Sequence, residues 1–156
     1  MLPVRLLRAG LLIGLLLAAA VAGAADWAHW RGPQRNDRVS EDSGWAAGAW
    51  PPKDPLWTGS FGLGSSAPLV VGGRLYALGW QKDREVVSCV EAATGKALWQ
   101  TDYPAPRYGR FAIGDQGFYT GSSATPEYDA ATRYLFTLGI DGDLNCWDTR
   151  AKGRRV

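Results

Sequence analysis

The chain has 156 residues, among them 8 tryptophans and 20 glycines, and its formal charge at pH 7 is +2. Without Arg5 and Arg8, which lie in the leader described next, 15 basic residues face 15 acidic ones, and this balance gives no support to nucleic-acid binding, which needs a clustered basic face. Large rigid aromatics combined with many turn glycines are typical of an all-β protein made of many short strands.

Residues 1–24 have the pattern of an export signal. Arg5 and Arg8 form a basic start, an uncharged apolar run covers residues 9–23, and the small residues at 22–24 match what signal peptidase accepts. We expect cleavage after Ala24 and a mature protein in the periplasm or secreted. The alternative is an uncleaved membrane anchor, for which the apolar run is rather short. That anchor is the one membrane contact that the sequence suggests.

Residues 25–64 are rich in tryptophan and proline and show no helical or strand period. We expect a strap over the domain surface with its indoles inserted into grooves, the alternative being a ligand platform of exposed indoles. His29, the one histidine, has no His or Cys at zinc-ligand spacing and is expected to be structural. Leu56-Trp57 resembles Leu98-Trp99, which predicts a lone outer strand that closes a ring of repeats.

Two stretches of the chain, residues 65–102 and residues 122–156, repeat one pattern of short apolar runs separated by turn residues. The run at 74–80 is apolar on both faces, so such a strand must be covered on both sides. Radially packed four-stranded blades provide that cover. The predicted fold is therefore an all-β propeller of antiparallel blades, of which about two are present. We predict strands at residues 66–71, 74–80, 85–91, 96–101, 124–128, 133–139 and 143–148.

The turns and the end of the second repeat add further expectations. Gly72-Gly73 and Asp141-Gly142 predict two-residue hairpins, and Gly95 is expected to adopt a positive φ. Residues 153–156 align with residues 95–98, so a tryptophan is expected at the next position. We interpret the second blade as truncated, the ring as incomplete, and the chain as the N-terminal part of a longer protein.

Cys89 and Cys146 are the only cysteines, and they occupy equivalent places in the two repeats. A disulfide requires Cα atoms within about 7 Å, and equivalent residues of neighbouring repeats are normally farther apart. We expect two free, buried thiols; a disulfide is the alternative.

The end of the first repeat, Glu-Ala-Ala-Thr-Gly-Lys-Ala-Leu-Trp at residues 91–99, resembles the pyrroloquinoline-quinone-type (PQQ-like) β-propeller repeat. Residues 26–33 resemble the N-terminal opening of exported bacterial proteins that carry such repeats. The resemblance departs at residues 149–152, where a basic stretch replaces the Ala-x-Thr-Gly turn. It implies a fold that hosts unrelated functions. Quinoprotein dehydrogenases of this type use adjacent cysteines, calcium carboxylates and a catalytic Asp, and none of these can be matched onto this chain.

Related non-catalytic propellers act as binding scaffolds in the bacterial envelope, one example being an assembly factor for outer-membrane barrels. The resemblance therefore favours a binding or assembly scaffold, with a fragment of a PQQ-dependent dehydrogenase as the alternative. No catalytic residue, metal ligand or cofactor is predicted, and PQQ with calcium belongs to the alternative alone.

Residues 103–121 form a long inter-blade link on the same face as the turn at residues 80–84. Its aromatic and arginine character is typical of binding surfaces for a protein or carbohydrate. The alternative is a surface loop whose aromatics pack on the blades. The predicted binding surface comprises Trp80, Arg107, Tyr108, Arg110, Phe111 and Tyr119.

Overall fold

The computed structural model of the chain describes residues 25–41, 54–106 and 121–156. These residues form two four-stranded antiparallel sheets, in each of which the strands follow one another in chain order. The prediction of an all-β chain is confirmed. Sheet I comprises β1 (Leu69–Val71), β2 (Arg74–Gln81), β3 (Arg84–Glu91) and β4 (Ala97–Pro104), and sheet II comprises β5 (Glu127–Asp129), β6 (Tyr134–Leu138), β7 (Leu144–Asp148) and β8 (Arg154–Arg155).

The strand register shows that the two sheets repeat each other. Tyr76 of β2 pairs with Cys89 of β3, and Phe136 of β6 pairs with Cys146 of β7 in the same way. Both cysteines are free; Cys89 is buried as expected, whereas Cys146 is half-buried. The difference arises because Cys146 lies on the face of sheet II that carries the exposed Leu138.

The first strand of each sheet starts later than predicted. β1 begins at Leu69 and β5 at Glu127, each three residues later than the sequence pattern indicates. The residues before β1 use their backbone N–H groups elsewhere: those of Ser65 and Ser66 donate to the carbonyl of Ser122, at 2.9 and 3.1 Å. These hydrogen bonds join the starts of the two repeats, a long-range contact that a local strand pattern does not predict.

The hairpin turns follow the expected chemistry with one exception. Gly72 and Gly73 both have positive φ, as a type I′ hairpin requires, and Gly95 has a φ of 71°. The predicted two-residue hairpin at Asp141-Gly142 is wrong. Its loop holds three residues, 140–142, because the amide of Gly139 donates to the carbonyl of Asp143 at 2.8 Å. The amide of Ile140 then points away from the hairpin, toward sheet I.

One face of sheet I packs against one face of sheet II. The rings of Tyr76 and Tyr128 stack with centroids 5.8 Å apart, and those of Tyr103 and Trp147 stack at 6.0 Å. Fully burying a large apolar side chain stabilises a fold by about 1.5–3 kcal/mol, so this shared core holds the sheets together. The buried cluster comprises Leu69, Val71, Tyr76, Leu78, Val87, Cys89, Tyr103, Tyr128, Leu135 and Trp147.

Residues 25–41, which we call the strap, run along the free edge of the first strand of each sheet. The backbone of Trp27 exchanges two hydrogen bonds with Val70, of 2.6 and 3.0 Å, and the carbonyl of Ala28 accepts one from Tyr128. His29 Nδ1 lies 2.6 Å from Glu127 Oε1 on sheet II, a close contact without hydrogen-bond geometry. The strap therefore touches both sheets.

The indoles of the N-terminal segment differ in how deeply they are buried. Trp27 and Trp57 are half-buried, whereas the side chain of Trp30 is 59% exposed. Insertion into the surface thus holds for two of these indoles and not for Trp30. Trp45 and Trp50 lie outside the described residues.

Candidate functional site: the cleft between the two sheets

The binding surface predicted from the sequence contains one described residue, Trp80. Trp80 is 9% exposed, and its indole N–H donates to the carbonyl of Ala105 at 2.8 Å. The chain that follows β4 therefore covers this ring. Arg107, Tyr108, Arg110, Phe111 and Tyr119 lie outside the described residues, so this surface stays a prediction.

Beside Trp80 lies a buried carboxylate, that of Glu85, which was not among the residues predicted from the sequence. Glu85 is 0% exposed. Its Oε1 accepts hydrogen bonds from Ser122 Oγ at 2.9 Å and from the amide of Ile140 at 3.0 Å, and its Oε2 accepts one from the Tyr103 hydroxyl. A signal was available, since Glu85 shares the inward period of Val87 on β3.

We call Glu85 and its three donor residues, Tyr103, Ser122 and Ile140, the Glu85 cluster. This cluster joins the two sheets. Burial, together with the hydrogen bond to Glu85 and its charge, raises the pKa of Tyr103 far above its usual range. Tyr103 therefore remains a neutral donor at any physiological pH. A Cβ added to Gly139 would lie 2.3 Å from Glu85 Oε2, so this glycine makes room for the carboxylate. Because its hydrogen-bonding groups are enclosed and paired with one another, we assign the cluster a structural role.

Two tryptophans pack in the same way on a turn glycine. Trp57 covers Gly95, where an added Cβ would meet the ring at 2.7 Å, and Trp99 covers Gly153, where the distance would be 2.5 Å. The indole N–H of Trp57 donates to the carbonyl of Ala92 at 2.9 Å. The indole nitrogen of Trp99 is buried and has no hydrogen-bond partner among the described residues.

The missing partner of Trp99 follows from a difference between the two turns. In sheet I the amide of Gly95 donates to the carbonyl of Glu91, and in sheet II the amide of Gly153 donates to the carbonyl of Asp148. The second turn is one residue longer, and it forms a 3-10 helix at Thr149–Ala151. The departure from the repeat seen in the sequence thus changes the backbone that faces Trp99.

A cleft of about 810 Å³ opens between the sheets at this turn. Four exposed cationic side chains line it: Arg74 at the start of β2, Arg133 just before β6, and Arg150 and Lys152 in the longer turn. Asp26 of the strap also lines the cleft. Cationic side chains thus outnumber carboxylates at the cleft wall.

Of the four cationic side chains at the cleft wall, one is paired with a carboxylate of the described residues and three are not. Arg150 Nε lies 3.0 Å from Asp148 Oδ1, and this hydrogen bond lowers the pKa of Asp148. Asp26 Oδ1 accepts a hydrogen bond of 2.8 Å from the amide of Gly72. Within the described ranges, Arg74, Arg133 and Lys152 have no carboxylate at ion-pair distance.

Aromatic side chains form the inner wall of the cleft. The rings of Tyr76 and Trp99 lie with centroids 6.0 Å apart, and Tyr76 stacks on Tyr128. Burial raises the pKa of Tyr76, while a hydrogen bond with Arg74 acts in the opposite direction. A wall of aromatics with a rim of guanidinium and ammonium groups offers N–H donors and positive charge, which is the chemistry that binds carboxylates and phosphates.

Comparison with known proteins gives no further assignment: no family model, no curated protein and no solved structure matches the chain. Within residues 25–41, 54–106 and 121–156, no three or more His, Cys, Asp or Glu side chains are grouped so as to hold a metal ion. The same residues include no helix long and apolar enough to cross a membrane.

Proposed function

We propose that the chain is part of an exported PQQ-like β-propeller that acts as a non-catalytic binding or assembly scaffold in the bacterial envelope. The proposal combines the leader and repeat of the sequence with the stacking of the two sheets. The observation that carries it is the exposed apolar face of sheet II, on which Leu138 and Leu144 lie.

The two sheets stack in a head-to-tail manner. Tyr76 and Leu78 lie on the face of sheet I that packs on sheet II. Their equivalents, Phe136 and Leu138, lie on the other face of sheet II, where Leu138 is 48% exposed and Leu144 is 72% exposed. Sheet II thus presents outward the apolar face that sheet I buries. Head-to-tail stacking of like units produces a closed ring when the rotation between units closes, and a ring of four-stranded units is a propeller.

The opposite face of sheet I supports the same arrangement. Trp57 covers Gly95 of sheet I as Trp99 of β4 covers Gly153 of sheet II. Trp57 thereby takes the place that the outer strand of a preceding blade would supply. This is the basis for proposing that Leu56-Trp57 is the strand that closes the ring.

Export is proposed from the leader, with cleavage after Ala24. The backbone nitrogen of Ala25 lies 2.7 Å from Glu41 Oε2. Cleavage after Ala24 would turn this nitrogen into an α-ammonium group beside a carboxylate, a favourable contact for a mature N-terminus.

Binding is favoured over catalysis by the chemistry of the described side chains. The carboxylate of Glu85 is enclosed and faces three donors within the protein. The rim of the cleft offers donors and positive charge, which suit recognition of a ligand. The described residues include neither adjacent cysteines nor a group of three His, Cys, Asp or Glu side chains that could hold a metal ion, so PQQ with calcium rests on the resemblance of the repeat alone.

A titration of the full-length protein with PQQ and calcium tests the scaffold against the dehydrogenase. We expect no dye reduction with alcohols or sugars. A quinoprotein dehydrogenase reconstituted in parallel shows that the reagents are active. Saturable quinone binding accompanied by dye reduction would overturn the non-catalytic assignment.

A further inference from the structure

The cleft between the sheets exists in its present form because the second repeat departs from the first. The longer turn of sheet II adds Arg150 and Lys152 to the cleft wall. The same turn leaves the indole N–H of Trp99 without the acceptor that Trp57 finds in Ala92. One local change thus supplies positive charge at the cleft wall and leaves the buried indole N–H of Trp99, a residue of that wall, without an acceptor.

We propose that this cleft binds a small organic anion with at least two acidic groups, carboxylate or phosphate, held by Arg74, Arg133 and Lys152 with the Trp99 indole N–H as a further donor. The proposal specifies a ligand for the binding role proposed above and therefore rests on it. It does not depend on closure of the ring, because every residue that it uses belongs to sheets I and II or to the turn within sheet II.

The size of the cleft favours an organic molecule over an inorganic ion. Small-molecule pockets usually measure about 300–1,000 Å³, and the cleft measures about 810 Å³. The three cations come from three separate places, the start of β2, the approach to β6 and the end of the longer turn. Each is exposed and gives a weak contact when used alone. Two or more acidic groups on one molecule are needed to engage several of them together.

The cations lie on backbone that is already fixed. Arg133 has a φ of 60° and Lys152 a φ of 54°. The amide of Arg133 donates to the carbonyl of Asp129 at 2.8 Å, and its own carbonyl accepts a hydrogen bond of 2.8 Å from Thr149 Oγ1. The turns therefore fix the backbone from which both side chains extend toward the cleft, which reduces the part of the entropy cost of binding that comes from ordering the chain.

Calorimetric titrations of the leader-free chain with citrate and with pyrophosphate, at low ionic strength, test the proposal. We expect one saturable site per chain for at least one of these probes, with affinity at least about tenfold higher than for acetate or inorganic phosphate. Preference for citrate identifies a carboxylate ligand, and preference for pyrophosphate identifies a phosphate ligand. Equal affinity for the probes with one acidic group, or the absence of any saturable site, would overturn the proposal.

A double variant and a matched control test whether the anion binds at Arg133 and Lys152. Replacing both Arg133 and Lys152 with Gln is expected to weaken binding about tenfold, from the loss of two partly exposed ionic contacts. The double variant Lys82→Gln, Lys96→Gln is the matched control, because it also removes two exposed cations and neither is among the cleft-lining residues; its affinity should stay within about twofold of the parent chain. Equal weakening in both variants would show a general charge effect and contradict the proposed site.

Trp99→Phe tests the indole donor separately. This change removes the N–H together with part of the ring that packs on Gly153, so we expect weaker anion binding and a loss of stability no larger than that of Trp57→Phe. Trp57→Phe breaks the hydrogen bond to Ala92 and should instead lower stability without changing anion affinity. Unchanged affinity in Trp99→Phe would remove the indole from the site. The PQQ assay of the full-length protein keeps the two proposals apart, since quinone binding accompanied by dye reduction contradicts the scaffold and missing anion binding contradicts only the ligand. PQQ carries carboxylates of its own, so quinone binding without dye reduction is consistent with the anion cleft.

Discussion

Replacing Glu85 with Ala is expected to destabilise the chain strongly. The carboxylate is 0% exposed and accepts hydrogen bonds from Ser122 Oγ, the amide of Ile140 and the Tyr103 hydroxyl. Alanine would leave these three donors buried without an acceptor. Each buried donor without a partner costs about 1–3 kcal/mol.

We therefore expect Glu85→Ala to lower the free energy of unfolding by at least about 3 kcal/mol, and by more if no water enters the cavity. Small domains unfold with about 5–15 kcal/mol in total, so the variant should be close to its folding limit. Glu85→Gln is milder: its amide oxygen can accept from Ser122 and Ile140, and its amide nitrogen can donate to the Tyr103 oxygen. A loss of about 1 kcal/mol is expected there.

Urea unfolding followed by tryptophan fluorescence measures both variants. Glu91→Ala is the matched control, because Glu91 also lies in β3 but is exposed; we expect a loss below about 1 kcal/mol. A loss in Glu85→Ala no larger than that in Glu91→Ala would refute the reasoning, since it would mean that the buried donors find other acceptors.

Three further predictions concern the interface, the thiol and the exposed face. Gly139→Ala should destabilise the chain by more than about 1 kcal/mol in the same urea assay, because its methyl group would lie 2.3 Å from Glu85 Oε2; a neutral result would show that Glu85 can move aside. Burial raises the pKa of Cys89 from 9.0 to about 11, so the unfolded chain loses this proton first and the free energy of unfolding should fall between pH 9 and 11, by at most about 1.4 kcal/mol per pH unit. Cys89→Ala should remove that part of the slope in urea titrations at pH 8, 9 and 10, and an unchanged slope would assign it to other groups. Maleimide should label Leu144→Cys in the leader-free chain at a rate close to that of Leu56→Cys, because these side chains are 72% and 94% exposed; labelling of Leu144→Cys should become much slower in the full-length protein if a further blade covers it, and equal rates in both would contradict the ring.

The strands could be predicted from the sequence because their signals are local. Period-two apolar runs and turn glycines such as Gly72 and Gly95 depend on neighbouring residues alone. The internal repeat placed Cys89 and Cys146 at equivalent positions, and the structure gives them equivalent registers, opposite Tyr76 and Phe136. This explains why the four strands of the first unit and the first three of the second were expected close to their observed places, even where the first strand proved shorter. β8 (Arg154–Arg155) was not predicted, because the second repeat was interpreted as truncated.

The features that the sequence did not reveal depend on contacts between distant parts of the chain. The acceptor for the amide of Ile140 is a side chain in sheet I, so a two-residue hairpin at Asp141-Gly142 was a reasonable but wrong expectation. The cleft could not be predicted from the sequence, because Arg74 and Lys152 are far apart along the chain and come together only when the two sheets pack against each other. The departure at residues 149–152 was visible in the sequence, but its effect on Trp99 was not.

The strap has a consequence for solubility. The first strand of a sheet presents unpaired backbone groups, and such an edge can recruit a strand from another molecule. Trp27 occupies these groups at Val70, and Ala28 accepts from the amide of Tyr128. Residues 27 and 28 thus shield the edges of β1 and β5 from intermolecular strand addition, and the chain carries its own protection against aggregation.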